Sequence, residues 1–185
     1  MSEYPTERVF DSFVKVDRIT TPSGKKREIV VSHNAVAILL YHLQSDCVVL
    51  INQQRVAMIS EENPEGMITE IVAGLFDLEI GIKELMVKEV EEEAGISLTE
   101  EQIELVNNGM PLASTPGGNT EKIYLGYAEI NSEQIDTSRR IFGVEEEGER
   151  ITRTFIPAEE LESIAFDDMK TWALVQWFLK SKKGS

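Results

Sequence analysis

A chain of 185 residues, 42% hydrophobic and 28% charged, is long enough for one domain with a sizeable core. Its net charge of −15 argues against nucleic acid as the main partner, because phosphate-backbone binding requires clustered Lys and Arg. The acidity fits solvated faces and bound divalent cations alike.

Cys47 is the sole cysteine and sits inside the apolar run DCVVLI, which excludes an internal disulfide and fits a small buried hydrophobe in a reducing compartment. The opening MSEYPTERVF lacks the basic region and apolar run of a signal peptide, and no apolar segment reaches transmembrane length. The expectation is a soluble cytoplasmic protein with no membrane partner.

In chain order, residues 9–20 and 26–33 alternate as strands do, with TPSGKK supplying the turn between them. AVAILLYHL and CVVLINQQ read as two buried strands. EENPEG is a loop, and MITEIVAG is a short strand ending at Gly74. IKELMVKEVEEEAG reads as a helix with Val87, Val90 and Ala94 as its apolar stripe, Glu84 and Lys88 as an i,i+4 pair, and Gly95 as its C-terminal cap. A strand is expected near 103–112, then the loop ASTPGGNTE and the strand KIYLGYAEI. The acidic segment GVEEEGER leads into the strand ITRTFIP. From Asp168 to Lys180 a helix is predicted with Trp172, Val175, Gln176 and Leu179 facing the core. His33 and His42 are too few and too poorly placed for a zinc site and read as structural. The alternation of strands and helices indicates an α/β or α+β fold.

The helix end carries Glu89, Glu92 and Glu93 on one face, within roughly a 100° arc at 3.6 residues per turn. Like charges there repel by a few tenths of a kcal/mol per pair, and a helix C-terminus is already negative. A solvated surface is one reading. An EF-hand is a poor one, since its ligands lie on a twelve-residue loop with a central Gly. A Mg²⁺ or Mn²⁺ site that holds hard cations against a phosphate substrate is the third, and a bound cation would relieve the repulsion.

The segment GLFDLEIGIKELMVKEVEEEAGI, Gly74 to Ile96, resembles the Nudix box, G-x5-E-x7-R-E-U-x-E-E-x-G-U with U aliphatic. Gly74, Glu89, Val90, Glu92, Glu93, Gly95 and Ile96 match it at the family spacing. Ile80 replaces its first Glu, for which the neighbouring Glu79 would substitute only with local rearrangement, and Lys88 replaces its Arg, losing the planar bidentate fork. KREIVVSHNAVAILL, LINQQRVA, EIVAG and ASTPGGNTE follow in the order found in the branch that hydrolyses ADP-ribose and other nucleoside diphosphate sugars.

That resemblance implies an α/β/α sandwich with a mixed sheet over residues 35–185, preceded by an N-terminal β-hairpin, residues 1–34, that mediates homodimerisation. It implies Mg²⁺, with Mn²⁺ as an alternative and more than one ion per site, held by the Ala73 carbonyl, Glu89, Glu92, Glu93 and Glu147. Arg27 and Arg55 would contact the phosphates or ribose, Glu70 would lie near the nucleoside, Gly117 and Gly118 would offer backbone amides, and Glu121 would bind a sugar hydroxyl. The base that activates water is placed at Glu147, with Glu149 accessory and Glu145 and Glu146 as alternatives for the base, since the loop alignment can slip by a residue or two. The implied activity is hydrolysis of the pyrophosphate bond of a nucleoside diphosphate sugar, ADP-ribose first, with GDP-mannose and UDP-glucose open. The departures at Ile80 and Lys88 keep a second reading, a Nudix-fold sensor that binds a nucleotide sugar without cleaving it.

Overall fold

The structure, a computed structural model, describes residues 4–76, 79–144 and 148–183. Strands β1 (Thr6–Asp11), β2 (Lys15–Thr20) and β3 (Lys26–Val31) form an antiparallel sheet of their own. A turn at Ser12–Val14 splits the single strand expected over 9–20, so the N-terminal element is a three-stranded meander rather than a hairpin. Asp11 and Ser12 supply the turn chemistry, and Phe13 at its tip is 100% exposed. The small sheet is tied to the rest of the chain where Val30 N–H donates to Gly118 O (2.8 Å) and Ser32 N–H to Thr120 Oγ1 (3.0 Å).

The main sheet is mixed. β4 (Ala35–His42) and β5 (Cys47–Gln54) form an antiparallel hairpin near their joining turn. Beyond Leu40 and Val49 they diverge, and two short strands fill the fork: β6 (Met67–Glu70) pairs with β5 and β7 (Val72–Leu75) with β4. The predicted strand MITEIVAG is therefore two strands, broken at Ile71, each with a different partner. β8 (Glu104–Leu105) and β9 (Leu112–Ala113) are all that forms of the strand expected over 103–112. β10 (Lys122–Ile130) runs parallel to β4, and β11 (Thr152–Pro157) closes the other edge against β5.

Helices α1 (Ile82–Ala94) and α2 (Met169–Lys183) cover opposite faces. Val36, Ile38 and Leu40 of β4 pack with Leu85, Met86, Val90 and Ala94 of α1. Ala35, Ala37 and Leu39 pack with Leu174, Val175 and Phe178 of α2. A strand buried on both faces must be apolar throughout, which is how β4 reads. The result is the expected α/β/α sandwich around a mixed sheet. The buried face of α2 is one residue out of the predicted phase: Thr171, Leu174, Val175 and Phe178 face inward, while Trp172 is 54% exposed and Gln176 is exposed. Among the described residues no helix is long and apolar enough to cross a membrane.

His42 is buried and structural, with Nδ1 2.6 Å from Ser45 Oγ and Nε2 3.0 Å from Ser132 Oγ. Cys47 is buried as expected.

Candidate active site

The fork opens onto a cleft of about 460 Å³, in the size range of small-ligand sites. One wall is the C-terminal half of α1, where Lys88, Glu89, Glu92 and Glu93 all line the cleft together with Ala73 and Gly74 of β7. The other side is lined by Arg55, Ser114, Glu121, Glu149, Asp168 and Lys170.

Sequence dictates this wall locally. Gly81 N–H donates to Glu84 Oε2 (3.3 Å) and starts α1, so Glu84 caps the helix while Lys88 reaches forward to Glu92 Oε2 at 2.5 Å, with Glu89 Oε1 at 4.0 Å. Gly95 ends the helix in the left-handed conformation (φ 58°, ψ 45°), its N–H donating to Glu91 O at 3.0 Å. A Cβ there would also strike the Phe142 ring, so both backbone and packing demand glycine. The negative helix end is capped by Arg153, which the sequence did not reveal. Its guanidinium donates to Ala94 O and to Asp136 O (2.9 Å) and lies over the Phe142 ring at 5.0 Å.

Glu93 is only 4% exposed and accepts from Ala73 N–H at 3.1 Å. Burial pushes its pKa up to about 8; the Ala73 N–H and Arg55 oppose the rise, and Glu89 and Glu149 add to it. A carboxyl held neutral among other carboxylates is one that a cation would ionise. The donors on this wall, carboxylates and a backbone carbonyl, are the hard oxygen ligands that Mg²⁺ and Mn²⁺ take. They are not preassembled: among the described residues no three acidic, His or Cys side chains are gathered to ligate one ion as they stand. Lys88 holds an oxygen of Glu92, and the Ala73 amide holds one of Glu93.

The acidic loop docks on the helix end. Gly143 N–H donates to Glu92 O (2.9 Å), and Glu149 Oε2 accepts from Val144 N–H (3.1 Å), leaving the Glu149 carboxyl at the cleft. Glu145, Glu146 and Glu147 lie outside the described residues.

Glu70, expected beside the nucleoside, is instead wholly buried. Its oxygens accept from Arg55 Nε (2.7 Å) and from Lys170 Nζ, and Lys170 lies 2.9 Å from Asp168 Oδ1. Burial pushes the Asp168 carboxyl up, yet Lys170 and the Thr171 hydroxyl and amide outweigh it and hold its pKa below the ordinary value. Lys170 and Asp168 are cleft residues that sequence reasoning missed. Asp168 carries a helix-start signal, accepting from Thr171 N–H at 2.8 Å, but no local pattern aims Lys170 at the cleft.

Glu121 lines the cleft, whereas Gly117, Gly118 and Arg27 do not. The Gly118 N–H is spent inside its own turn on Thr115 O (3.0 Å). Arg27 is exposed on β3, donating to Lys26 O (3.0 Å). Ile80 packs against the α1-side core, and Glu79 is exposed outside the cleft, so Glu79 does not take the place of the missing first box glutamate.

No protein-family model matches the chain. It is 38% identical over 158 residues to a GDP-mannose pyrophosphatase of Cronobacter sakazakii, covering 82% of this chain and 76% of that protein. A GDP-mannose pyrophosphatase of Yersinia enterocolitica is 32% identical over 170 residues, 90% of this chain and 84% of the relative. The chain belongs to the Nudix family, in its ADP-ribose and sugar-nucleotide pyrophosphatase branch. An ADP-ribose pyrophosphatase of Haemophilus influenzae is more distant, at 29% over 136 residues, 72% of this chain and 59% of that protein. A solved structure described as an ADP compounds hydrolase superposes with a TM-score of 0.65 at 18% identity, over 96% of this chain and 93% of its own, and shares the Nudix fold. Nudix pyrophosphatases generally use divalent metals, which agrees with the oxygen-rich wall of α1.

Proposed function

We propose that this Nudix protein hydrolyses the pyrophosphate bond of nucleoside diphosphate sugars. The observation that carries this is the make-up of one cleft: the α1 carboxylates Glu89, Glu92 and Glu93 line it together with the cations Arg55 and Lys170. A diphosphate held between metal-binding carboxylates and the cations Arg55 and Lys170 is the ligand this combination fits.

Ala73 O, Glu89, Glu92 and Glu93 are the residues to hold Mg²⁺, with Mn²⁺ able to replace it and more than one ion per site. When bound, the metal neutralises the diphosphate and lowers the pKa of water. Arg55 and Lys170 hold the anionic oxygens, and Glu121 orients a sugar hydroxyl. The base comes from the acidic loop, with Glu147 at the catalytic position and Glu149 accessory. A water oxygen bonds to one phosphorus as the bridging P–O bond breaks, giving a nucleoside monophosphate and a sugar phosphate, and the water proton passes to the base. Because the GDP-mannose pyrophosphatases match more of the chain than the ADP-ribose pyrophosphatase does, GDP-mannose joins ADP-ribose as a first substrate to test.

Exposed Phe10, Phe13 and Val14 on the N-terminal sheet support a homodimer built through residues 1–34. Such a dimer would account for Arg27, which would then act at the partner subunit's cleft. The compartment is the cytoplasm.

The test is phosphate release, through a coupled phosphatase, from a panel of nucleotide sugars with Mg²⁺, Mn²⁺ or EDTA. Metal-dependent turnover that is lost in Glu93→Gln and in Glu147→Gln is the expected result. Tight binding of a nucleotide sugar without turnover would favour the sensor instead.

A further inference from the structure

Glu70 ends β6, opposite Ile51 of β5, and none of its side chain reaches solvent. Each of its oxygens takes one cation, Arg55 through Nε and Lys170 through Nζ. Burying such a cluster costs hydration of every member, so its contribution to stability alone is weak. What it supplies is direction.

The opposite wall is strongly acidic, and the Arg55 charge already acts on Glu93 across the cleft. Without Glu70, Arg55 would be drawn to Glu89, Glu92 and Glu93 and would compete with the ions that those carboxylates hold, and Lys170 would keep only Asp168 Oδ1, 2.9 Å away. Arg55 meets Glu70 through Nε, and among the described residues its Nη1 and Nη2 have no hydrogen-bond partner. The guanidinium edge suited to a bidentate grip on a phosphate therefore remains for the cleft.

We propose that Glu70 is a positioning residue, which holds Arg55 and Lys170 back from the carboxylate wall and aims both at the diphosphate of the substrate. This rests on the hydrolase reading above. Glu70 itself touches no substrate; it acts through the two cations.

The experiment compares wild type, Glu70→Gln and Glu70→Asp by steady-state kinetics with the best substrate of the panel. Each substitution is also made in an Arg55→Ala, Lys170→Met background. In Glu70→Gln, KM is expected to rise about tenfold while kcat stays within about threefold, because the metal-binding wall is untouched. Glu70→Asp keeps the charge and gives a smaller rise in KM. In the doubly substituted background neither change moves KM further, since the groups through which Glu70 acts are gone. If Glu70→Gln does not fold, Glu70→Asp and its cycle decide alone. An unmoved KM in a folded Glu70 variant overturns the proposal, as does a KM effect of full size in the doubly substituted background. Absence of turnover in wild type is a different failure: it overturns the hydrolase reading, and the proposal falls with it.

Discussion

Gly74 and Glu89 are packed so closely that a Cβ on the glycine would lie 2.1 Å from Glu89 Cδ. The glycine in the box is therefore a seat for Glu89, carved into β7. Its neighbour Ala73 donates its amide to Glu93, so two adjacent residues of one strand orient two carboxylates of α1.

It follows that Gly74→Ala displaces Glu89 rather than unfolding the chain. Overpacking of this kind costs about 1–3 kcal/mol, and kcat is expected to fall about 100-fold. Thermal melts and steady-state rates on the same preparation check this. A variant with wild-type kcat would show that Glu89 is aimed by something other than the glycine seat.

Lys88 holds Glu92 at 2.5 Å and stands 4.0 Å from Glu89, so its removal leaves the carboxylates to repel one another. Lys88→Ala is expected to lower kcat about 10- to 100-fold, with less than about 1 kcal/mol lost in stability, since the pair is partly exposed. Lys88→Arg restores a fork that can grip both acids and is expected to raise kcat by about twofold to fivefold. Rates at saturating Mg²⁺ measure both. If Lys88→Arg is slower than wild type, this chain has adapted its cleft to the shorter contact of an ammonium.

The carboxylate wall was legible because it is local: cap, stripe and glutamates all lie between Gly74 and Ile96, within reach of helical periodicity. The strands β4 and β5 were legible because burial on both faces leaves an unbroken apolar run. The fork between them was not, because the run MITEIVAG keeps strand-like composition through the residue at which it changes partner. Nor was the cationic wall. Arg55 is 15 residues and Lys170 is 100 residues from the Glu70 that holds them, and no spacing rule spans such separations. The phase of α2 was misread because Trp172 is a large apolar residue that the fold leaves at the surface. Hydrophobicity alone does not tell an exposed aromatic from a core one.

Arg153 is the counter-charge that the crowded helix end needs, gripping Ala94 O and Asp136 O and lying over the Phe142 ring that fills the space under Gly95. Arg153→Ala removes the cap and loosens the start of the acidic loop at Gly143. A loss of about 2 kcal/mol in urea unfolding is expected, together with a drop of about tenfold in kcat. Arg153→Lys should recover part of the stability but little of the rate, since an ammonium cannot reach the carbonyls and cover the ring together. Loss of stability with kcat intact would mean that the helix end and the loop are not coupled through this residue.

Glu93 makes the apo protein sensitive to pH in a direction opposite to that of ordinary surface acids. Its folded pKa is raised from 4.5 to about 8 by burial, so between those values the folded state holds a proton that the unfolded state has released. Stability of the metal-free protein therefore falls as pH rises from about 4.5 through 8. Glu93→Gln removes the titration. In EDTA its stability should match wild type at pH 5 and exceed it by about 2 kcal/mol at pH 8, after allowance for relaxation around a buried acid. Mg²⁺ at pH 8 should then stabilise wild type more than Glu93→Gln, because the ion binds the ionised carboxylate in the folded state. Urea titrations at the two pH values, with EDTA and with Mg²⁺, measure all four differences. Equal pH dependence in the two proteins would show that Glu93 is ionised even without metal.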